Sequence, residues 1–519
     1  MDVARRATYA LGLVLAAVPL WVGRHLPMVD LPQHLYLISV LHRLDDPTTL
    51  YPQFFAIRGQ LTPYLGYYYL VSALNWLFPL TVANKLFLTA YVVGLPLSLA
   101  FLLRSLGRPR WPSLLAVPFA YGDSFAWGFV NYCSAIPLAF LCCAFLLRTL
   151  SDAQRRGWAI GLCLSLTAVL VFHVQVFAFL GLALPALLLM TRTPEDKARQ
   201  GMFFKSRAVA VLAMVPAALL FLIWVGLRLG EPSNVEYGAP WKAWGPLLSP
   251  QNLSYKSLAQ NWDELFQVLA NILRDQSDRY SLYAVGGICV ACIALTAVHG
   301  GSKSVRREGS LERWRMAVLL VIALAMYFAL PFDIRGYMYY LNTRFAHLAA
   351  PLAVGALPVI GSKFRSYFLG AAALTALVLA IPLGRGFSAF NEEALPLDRL
   401  ASLAGPRPML MGLIFDTNSR TVRHPVFLHS AAIIAREQGG VPNFTFALTP
   451  HSPLKYRGSP PPTFPSEWRP DQFNYEREGL AYQRFLLRGI TARQEFGPQL
   501  GQELTIAGQM GGFWLVSRR

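Results

Sequence analysis

Arg5-Arg6-Ala7-Thr8-Tyr9-Ala10-Leu11-Gly12-Leu13-Val14-Leu15-Ala16-Ala17-Val18-Pro19-Leu20-Trp21-Val22 opens the chain with two cations and a continuous uncharged run. No small-residue cleavage signature separates this run from Asp30, which predicts an uncleaved membrane helix rather than a removed leader. Comparable apolar blocks recur as far as about Leu383. Each needs about 20 residues to cross about 30 Å of hydrocarbon as a helix. Composition agrees: 55 % of the 519 residues are hydrophobic and only 14 % charged, whereas ordinary soluble domains carry about 25 % charged residues.

The net charge of +18 does not point to nucleic acid. Lys and Arg gather in short clusters between apolar blocks, which is how membrane topology is written, and no basic face alternates with aromatics. Arg104, Arg108 and Arg110 follow the second span; Arg148, Arg155 and Arg156 follow the fourth. Arg192, Lys197, Arg199, Lys205 and Arg207 follow the sixth, Lys303, Arg306, Arg307, Arg313 and Arg315 the eighth, and Lys363 with Arg365 the tenth. The connections of opposite parity, around Gly122–Ser124 and His173–Gln175, contain no Lys or Arg. The positive-inside rule therefore predicts a cytoplasmic N-terminus and an extracytoplasmic C-terminus in a multi-pass protein of the inner (plasma) membrane.

The expected fold is an all-α membrane bundle of about eleven transmembrane helices over residues 1–384, with outer loops at about 27–81 and 230–280. A soluble extracytoplasmic α/β domain follows over 385–519. Leu61 to Leu80 is long enough to span, but Pro63 and Pro79 bracket it and Tyr64, Tyr67, Tyr68 and Tyr69 give it interfacial character, so it reads as a helix lying in the interface. In the tail, Met409–Phe415, Tyr482–Leu487 and Gly512–Val516 read as strands, Val426–Arg436 as a helix, and Pro450–Pro470 as a loop. The six cysteines all lie in apolar blocks, so disulfides are not expected in the outer domain. The Cys289/Cys292 pair lacks the second ligand pair of a zinc site.

Four stretches could carry chemistry. Asp30 precedes Leu31-Pro32-Gln33-His34 just beyond the first span; on a helix Asp30 and His34 share one face. Taken alone, Asp30 reads first as the cap of that helix, and a capping Asp can still present one oxygen to a cavity. Asp123 is the only ionisable group in the turn Tyr121–Phe129, where a turn-forming role competes. His173 and Gln175 sit in a very short turn, where polar groups face a cavity or a neighbouring helix. Finally, Arg344 enters the tenth span within Asp333–His347, where a cation needs a phosphate or a carboxylate. Arg335 and Lys85 are similarly placed, with snorkelling to headgroups as the plainer reading.

Asp30, then Leu61-Thr62-Pro63-Tyr64-Leu65-Gly66-Tyr67-Tyr68-Tyr69-Leu70, then Ala83-Asn84-Lys85-Leu86 together resemble the GT-C class of membrane glycosyltransferases. Its members place an acidic residue in the first outer loop, a Pro/Tyr-rich helix next, and a basic residue at the start of the following span. The resemblance implies sugar transfer from a polyprenyl-phosphate donor to an acceptor glycan, lipid or protein on the outer face. It implies Asp30 as catalytic acid/base and Asp123 as the second acidic residue. Arg344, with Lys85 and Arg335, would hold the donor phosphate, and His34, His173 and Gln175 would support them. Asp30 is not followed by a second acidic residue, unlike in the protein O-mannosyltransferases, which leaves their acceptor class open here. A divalent cation is left open, since two carboxylates of unknown separation do not define a site. A transporter or lipid flippase is the main alternative, but such proteins show paired, interrupted halves and midplane charges, and no halves are visible here. A membrane scaffold presenting the tail to a partner is the third.

The topology is checked by cysteine-accessibility labelling. A cysteine placed at Ser466 should be modified from outside and one at Ser310 should not; modification at 310 reverses the orientation.

Overall fold

The computed structural model describes residues 3–60, 62–193, 205–229, 250–299, 311–334 and 338–519. Helix α1 (Val3–Ala17) runs into a short 3-10 turn ending at Trp21. The first long loop holds α2 (Leu31–His42) and α3 (Gly66–Leu74), after which α4 (Leu80–Ser105) crosses the bundle. The nine residues of α3 rise about 14 Å, half of what a span needs. It exposes Tyr69 and Leu70, and Trp76, Leu77 and Phe78 are exposed just beyond it, as a helix lying on a bilayer surface would.

A five-residue helix, α5 (Asp123–Trp127), precedes α6 (Val130–Ser151), α7 (Arg156–Phe172), α8 (Val174–Met190) and α9 (Lys205–Leu229). After α10 (Leu258–Gln267) come α11 (Arg279–His299), α12 (Arg315–Ala329), α13 (Phe345–Ala356) and the 40-residue α14 (Arg365–Ala404). Among the described residues, six helices are long and apolar enough to cross a membrane: Val3–Trp21, Leu80–Ser105, Val130–Ser151, Lys205–Leu227, Arg279–His299 and Ser362–Ala404. Protein covers 83 % of the apolar window of α6 but only 17 % of those of α9 and α11. Leu212, Leu222, Val290 and Ile293 stand exposed on the latter two, and in water that surface would be prohibitively unfavourable. The chain is an integral membrane protein. The third apolar block, Trp111–Ala120, forms a wholly buried 3-10 helix carrying Pro112 and Pro118, because proline removes the donors an α-helix needs.

Helix α14 joins the two parts. At about 1.5 Å per residue it extends about 60 Å, twice the hydrocarbon thickness, and the expected boundary at 384/385 falls inside it. Its second half buries Ala394, Leu397, Leu400, Ala401 and Ala404 against a C-terminal sheet. That sheet comprises β2 (Met409–Ile414), β3 (Val441–Pro442), β5 (Arg484–Arg488), β6 (Leu504–Met510) and β7 (Phe513–Arg518) in the order β3-β2-β5-β7-β6. Strand β2 is parallel to β3 and β5, with α15 (Ser430–Gln438) crossing from β2 to β3, while β5, β7 and β6 run antiparallel. The register slips between Ile506 and Gly508, where a Cβ on Gly508 would come within 2.7 Å of Leu403. A two-stranded ribbon, β1 (Phe55–Ile57) with β4 (Leu454–Tyr456), ties the first long loop to the C-terminal region. All six cysteines are unpaired.

Leu397 is fully buried between α14 and the sheet. Leu397→Ala should cost about 2–5 kcal/mol through lost burial and the cavity left behind. It should lower the thermal midpoint and speed proteolysis C-terminal to α14 in the full-length protein.

Candidate active site

Asp30 is placed by backbone. Gly128 ends α5 in the left-handed region (φ 88°), which turns the chain so that Val29 N–H and Asp30 N–H donate to the carbonyls of Ala126 (2.9 Å) and Trp127 (3.0 Å). A Cβ on Gly128 would sit 3.0 Å from the Asp30 backbone nitrogen and its Cβ, so only glycine allows this approach. His34 locks the same junction: its Nδ1 lies 2.7 Å from Tyr68 Oη and its Nε2 3.1 Å from the Gly128 carbonyl. A carbonyl only accepts, so Nε2 carries the proton and Nδ1 accepts from Tyr68. Burial, partly opposed by Asp30, pushes the His34 pKa down to about 4, which fits a neutral ring. Asp30 stands at the start of α2, but its side chain makes no capping hydrogen bond.

That carboxylate faces the C-terminal region instead. His429 Nε2 lies 3.4 Å from Asp30 Oδ1, and His429 Nδ1 lies 3.1 Å from Glu467 Oε2. The imidazole is 2 % exposed and bridges two carboxylates. Burial alone would disfavour its charge, but Glu467 and Asp30 outweigh burial and push the pKa up to about 10. Asp30 Oδ2 has no hydrogen-bond partner among the described residues.

Asp123, the first residue of α5, is built in the same way. Its N–H donates to Val268 O (2.8 Å); its Oδ1 lies 2.7 Å from His424 Nε2 and accepts a longer bond from Asn271 Nδ2 at 3.4 Å. Burial opposes its charge, but His424, His347 and Asn271 outweigh that and hold its carboxyl below the usual range. Trp127 packs edge-on against His424 with centroids 5.5 Å apart. One short stretch, His424 to His429, thus supplies a histidine to each of two carboxylates from the first half of the chain.

Arg344 lies at the start of α13. Its guanidinium stacks 3.9 Å over Phe129, with Nη1 3.3 Å from His173 Nε2 and Nη2 donating to Tyr339 O at 3.1 Å. Its buried Nε has no partner, and among the described residues no carboxylate lies within ion-pair distance of it. Asp30 is within Coulombic reach. His173 Nδ1 accepts from the Gln175 N–H at 3.3 Å, so its Nε2 touches the guanidinium without accepting from it, and the ring packs against Tyr64 and Tyr132; Gln175 Nε2 reaches Met338 Sδ. Lys85 stands elsewhere, its ammonium on the Gly23 carbonyl and 5.7 Å from the centre of Trp21. Arg335 lies outside the described residues.

The structure therefore brings Asp30, His34, Asp123, Arg344, His173 and Gln175 toward one end of the bundle, beneath the C-terminal region. It adds His424, His429 and Glu467, which the sequence reading did not single out. The available signal was slight: two of only nine histidines fall within six residues of each other in the tail. Among the described residues, no group of three or more His, Cys, Asp or Glu could hold a metal ion. His429 separates Asp30 from Glu467 rather than joining them around one centre, so these residues do not fit a shared cation.

The fold has solved counterparts. The chain is similar to ArnT from Cupriavidus metallidurans bound to undecaprenyl phosphate, with a TM-score of 0.56 at 11 % identity over 98 % of this chain and 97 % of that one. The apo state of ArnT gives 0.55 at 10 % identity over the same shares. The Archaeoglobus fulgidus oligosaccharyltransferase tethered with an acceptor peptide reaches 0.46 at 14 % identity, over 94 % of this chain and 69 % of that one. That likeness is too distant to build on. No family model matches the chain, and no curated protein is similar to it. The likeness to ArnT is one of fold: the chain has the GT-C membrane architecture.

The His429 bridge has a pH signature. Its folded pKa of about 10 lies above the ordinary 6.5, so the stability it contributes is fully present below about pH 6.5 and lost as pH rises through about 10. Thermal midpoints of the native protein and His429→Gln should differ most at low pH within this window and converge toward pH 10. A constant offset across the window would show that the bridge holds no charge.

Proposed function

We propose that the protein is an inverting GT-C-type glycosyltransferase that moves a sugar from a polyprenyl-phosphate donor to an acceptor hydroxyl on the extracytoplasmic face. The observation that carries this reading is the juxtaposition of Asp30, with one free carboxylate oxygen, and Arg344, a half-buried cation without a carboxylate partner among the described residues. Both lie in a GT-C architecture shared with ArnT, which has been seen bound to undecaprenyl phosphate. Fold likeness alone does not assign chemistry; the paired base and anion site give it local support.

In this reading the acceptor oxygen attacks the anomeric carbon as the bond from that carbon to the donor phosphate oxygen breaks. Asp30 Oδ2 takes the acceptor proton, while His429 holds Oδ1 and so fixes the rotamer. Negative charge grows on the departing polyprenyl phosphate, and Arg344 meets it; a cation pre-set by Phe129 and His173 need not reorganise. Asp123, held by His424 and Asn271, positions the acceptor. Lys85, already taken up by Gly23 and Trp21, anchors the first loop and is not required at the phosphate. No step is routed through a metal.

The same proposal extends to topology. We infer that the six long helices and five shorter ones, Trp111–Ala120, Arg156–Phe172, Val174–Met190, Arg315–Ala329 and Phe345–Ala356, together with the segments flanking them, supply the odd number of crossings that the basic clusters call for. An odd number leaves the N-terminus cytoplasmic and the C-terminal α/β region, from about residue 385, outside the plasma membrane.

The test is Asp30→Asn, which keeps size and removes the proton acceptor. Because the Asp30 side chain makes no capping bond, the variant should remain folded. Turnover of polyprenyl-phosphate sugars by purified protein should fall by about two to four orders of magnitude, and Arg344→Gln should fall comparably. Asp123→Asn should act more weakly. Near-native turnover in Asp30→Asn at matched thermal stability ends the base assignment, and a loss confined to Asp123→Asn moves the role there.

A further inference from the structure

Away from Asp30 and Arg344, a groove of about 640 Å³ opens between the stretch leading into α11 and the middle of α14. Its apolar wall is Val378, Ile381 and Pro382 of α14, and Tyr280 faces them from α11. Its polar end is formed by Arg274, Arg385 and Arg420, with Asp275 as the one carboxylate in the lining. Asp275 is already engaged by the Ser277 N–H (3.0 Å) and hydroxyl (2.8 Å). Arg274 is fixed by bonds from Nε to the carbonyls of Ser419 and Val422 and from Nη2 to Asn418. Arg385 and Arg420 are exposed, and neither side chain has an ion-pair partner among the described residues.

The groove sits at a defined depth. Below it, α14 exposes Leu374, Leu377 and Ile381 on one side, a stripe that needs lipid. At the same level Tyr280 and Tyr283 are exposed, as aromatic residues at a membrane–water boundary are. Arg385 is the first charge after the apolar half of α14. Guanidiniums above an apolar trough at that boundary complement one chemistry: an anionic head on aliphatic chains.

We propose that this groove is a binding site for a net-anionic, phosphate-headed membrane lipid. The headgroup is held by Arg385 and Arg420, with Arg274 fixed behind them, and the chains run along Ile381, Val378 and Leu374. The far wall gives the site a link to the chemistry. Leu273 pairs with Val422, Arg274 N–H donates to Thr421 O, and Arg423 N–H donates to Ile272 O. The same short ribbon presents Asn271 and His424 to Asp123. The lipid and Asp123 are thus separated by the thickness of one ribbon. That ribbon is seated on α14 because Gly386 has no Cβ to meet the Leu273 side chain.

The test uses full-length, delipidated protein titrated with fluorescent phosphatidylglycerol and, separately, with phosphatidylcholine bearing the same chains. Phosphatidylglycerol should bind more tightly, and Arg385→Gln/Arg420→Gln should weaken it by about thirtyfold, as expected for two interfacial charges. Arg399→Gln/Arg493→Gln removes equal charge from exposed positions outside the groove and should leave binding unchanged. Equal binding of the two lipids, or equal loss in both double variants, would overturn the site. Displacement by inorganic phosphate at matched concentration would show a headgroup pocket only and would also overturn it. Asp30→Asn should bind the lipid normally, so failure of this site and failure of the glycosyltransferase reading are told apart.

Discussion

Two carboxylates brought under protein cover need polar partners, since a desolvated charge without one costs several kcal/mol. Asp30 and Asp123 meet this constraint with histidines from beyond residue 420, His429 and His424. The consequence is architectural. The C-terminal region cannot be a loosely tethered appendage, because without it two partly buried charges near the start of the chain lose their partners. The ribbon between Phe55–Ile57 and Leu454–Tyr456 and the hydrogen bonds from Gln33 Nε2 to Phe444 O and from Tyr36 Oη to Gly440 O reinforce the same docking.

Most of the bundle was legible because the bilayer is a demanding solvent. It admits few structures, and long apolar helices separated by basic clusters leave a strong pattern. The Tyr-rich stretch after Pro63 forms a helix of only nine residues, Gly66–Leu74, as its bracketing prolines suggest. Legibility failed where proline met burial: Trp111–Ala120 reads as an ordinary apolar block, yet forms a 3-10 helix. In the tail, the apolar runs Met409–Phe415, Tyr482–Leu487 and Gly512–Val516 fall on the strands Met409–Ile414, Arg484–Arg488 and Phe513–Arg518. Val441–Pro442 and Leu504–Met510 match no such run, the first being two residues long and the second alternating weakly.

For the site, the pattern divides by sequence distance. Asp30 and Arg344 stood out because charge beside an apolar block is expensive and therefore conspicuous. Glu467 and His429 sit in the C-terminal sheet region, where no apolar block makes charge conspicuous, and nothing local marks them as facing Asp30 some four hundred residues earlier. The helix read as Val426–Arg436 begins at Ser430, which leaves His429 just outside it and able to turn toward Asp30. Gly128 was visible only as one glycine among 39. Its role depends on a left-handed φ and on the close approach of Asp30, both products of tertiary structure.

The five-stranded sheet has two unlike margins. One is β3, two residues long and ending in Pro442, which has no N–H to offer. The other is β6, whose register slips at Ile506/Gly508 while Leu403 crowds it from α14. Neither presents a straight row of unpaired donors and acceptors, so both are poor templates for an added strand. A peptide cannot be captured on this sheet by backbone zippering as it is on domains with open edges. On the glycosyltransferase reading proposed above, acceptor recognition would fall to side chains around Asp30 rather than to an open sheet edge.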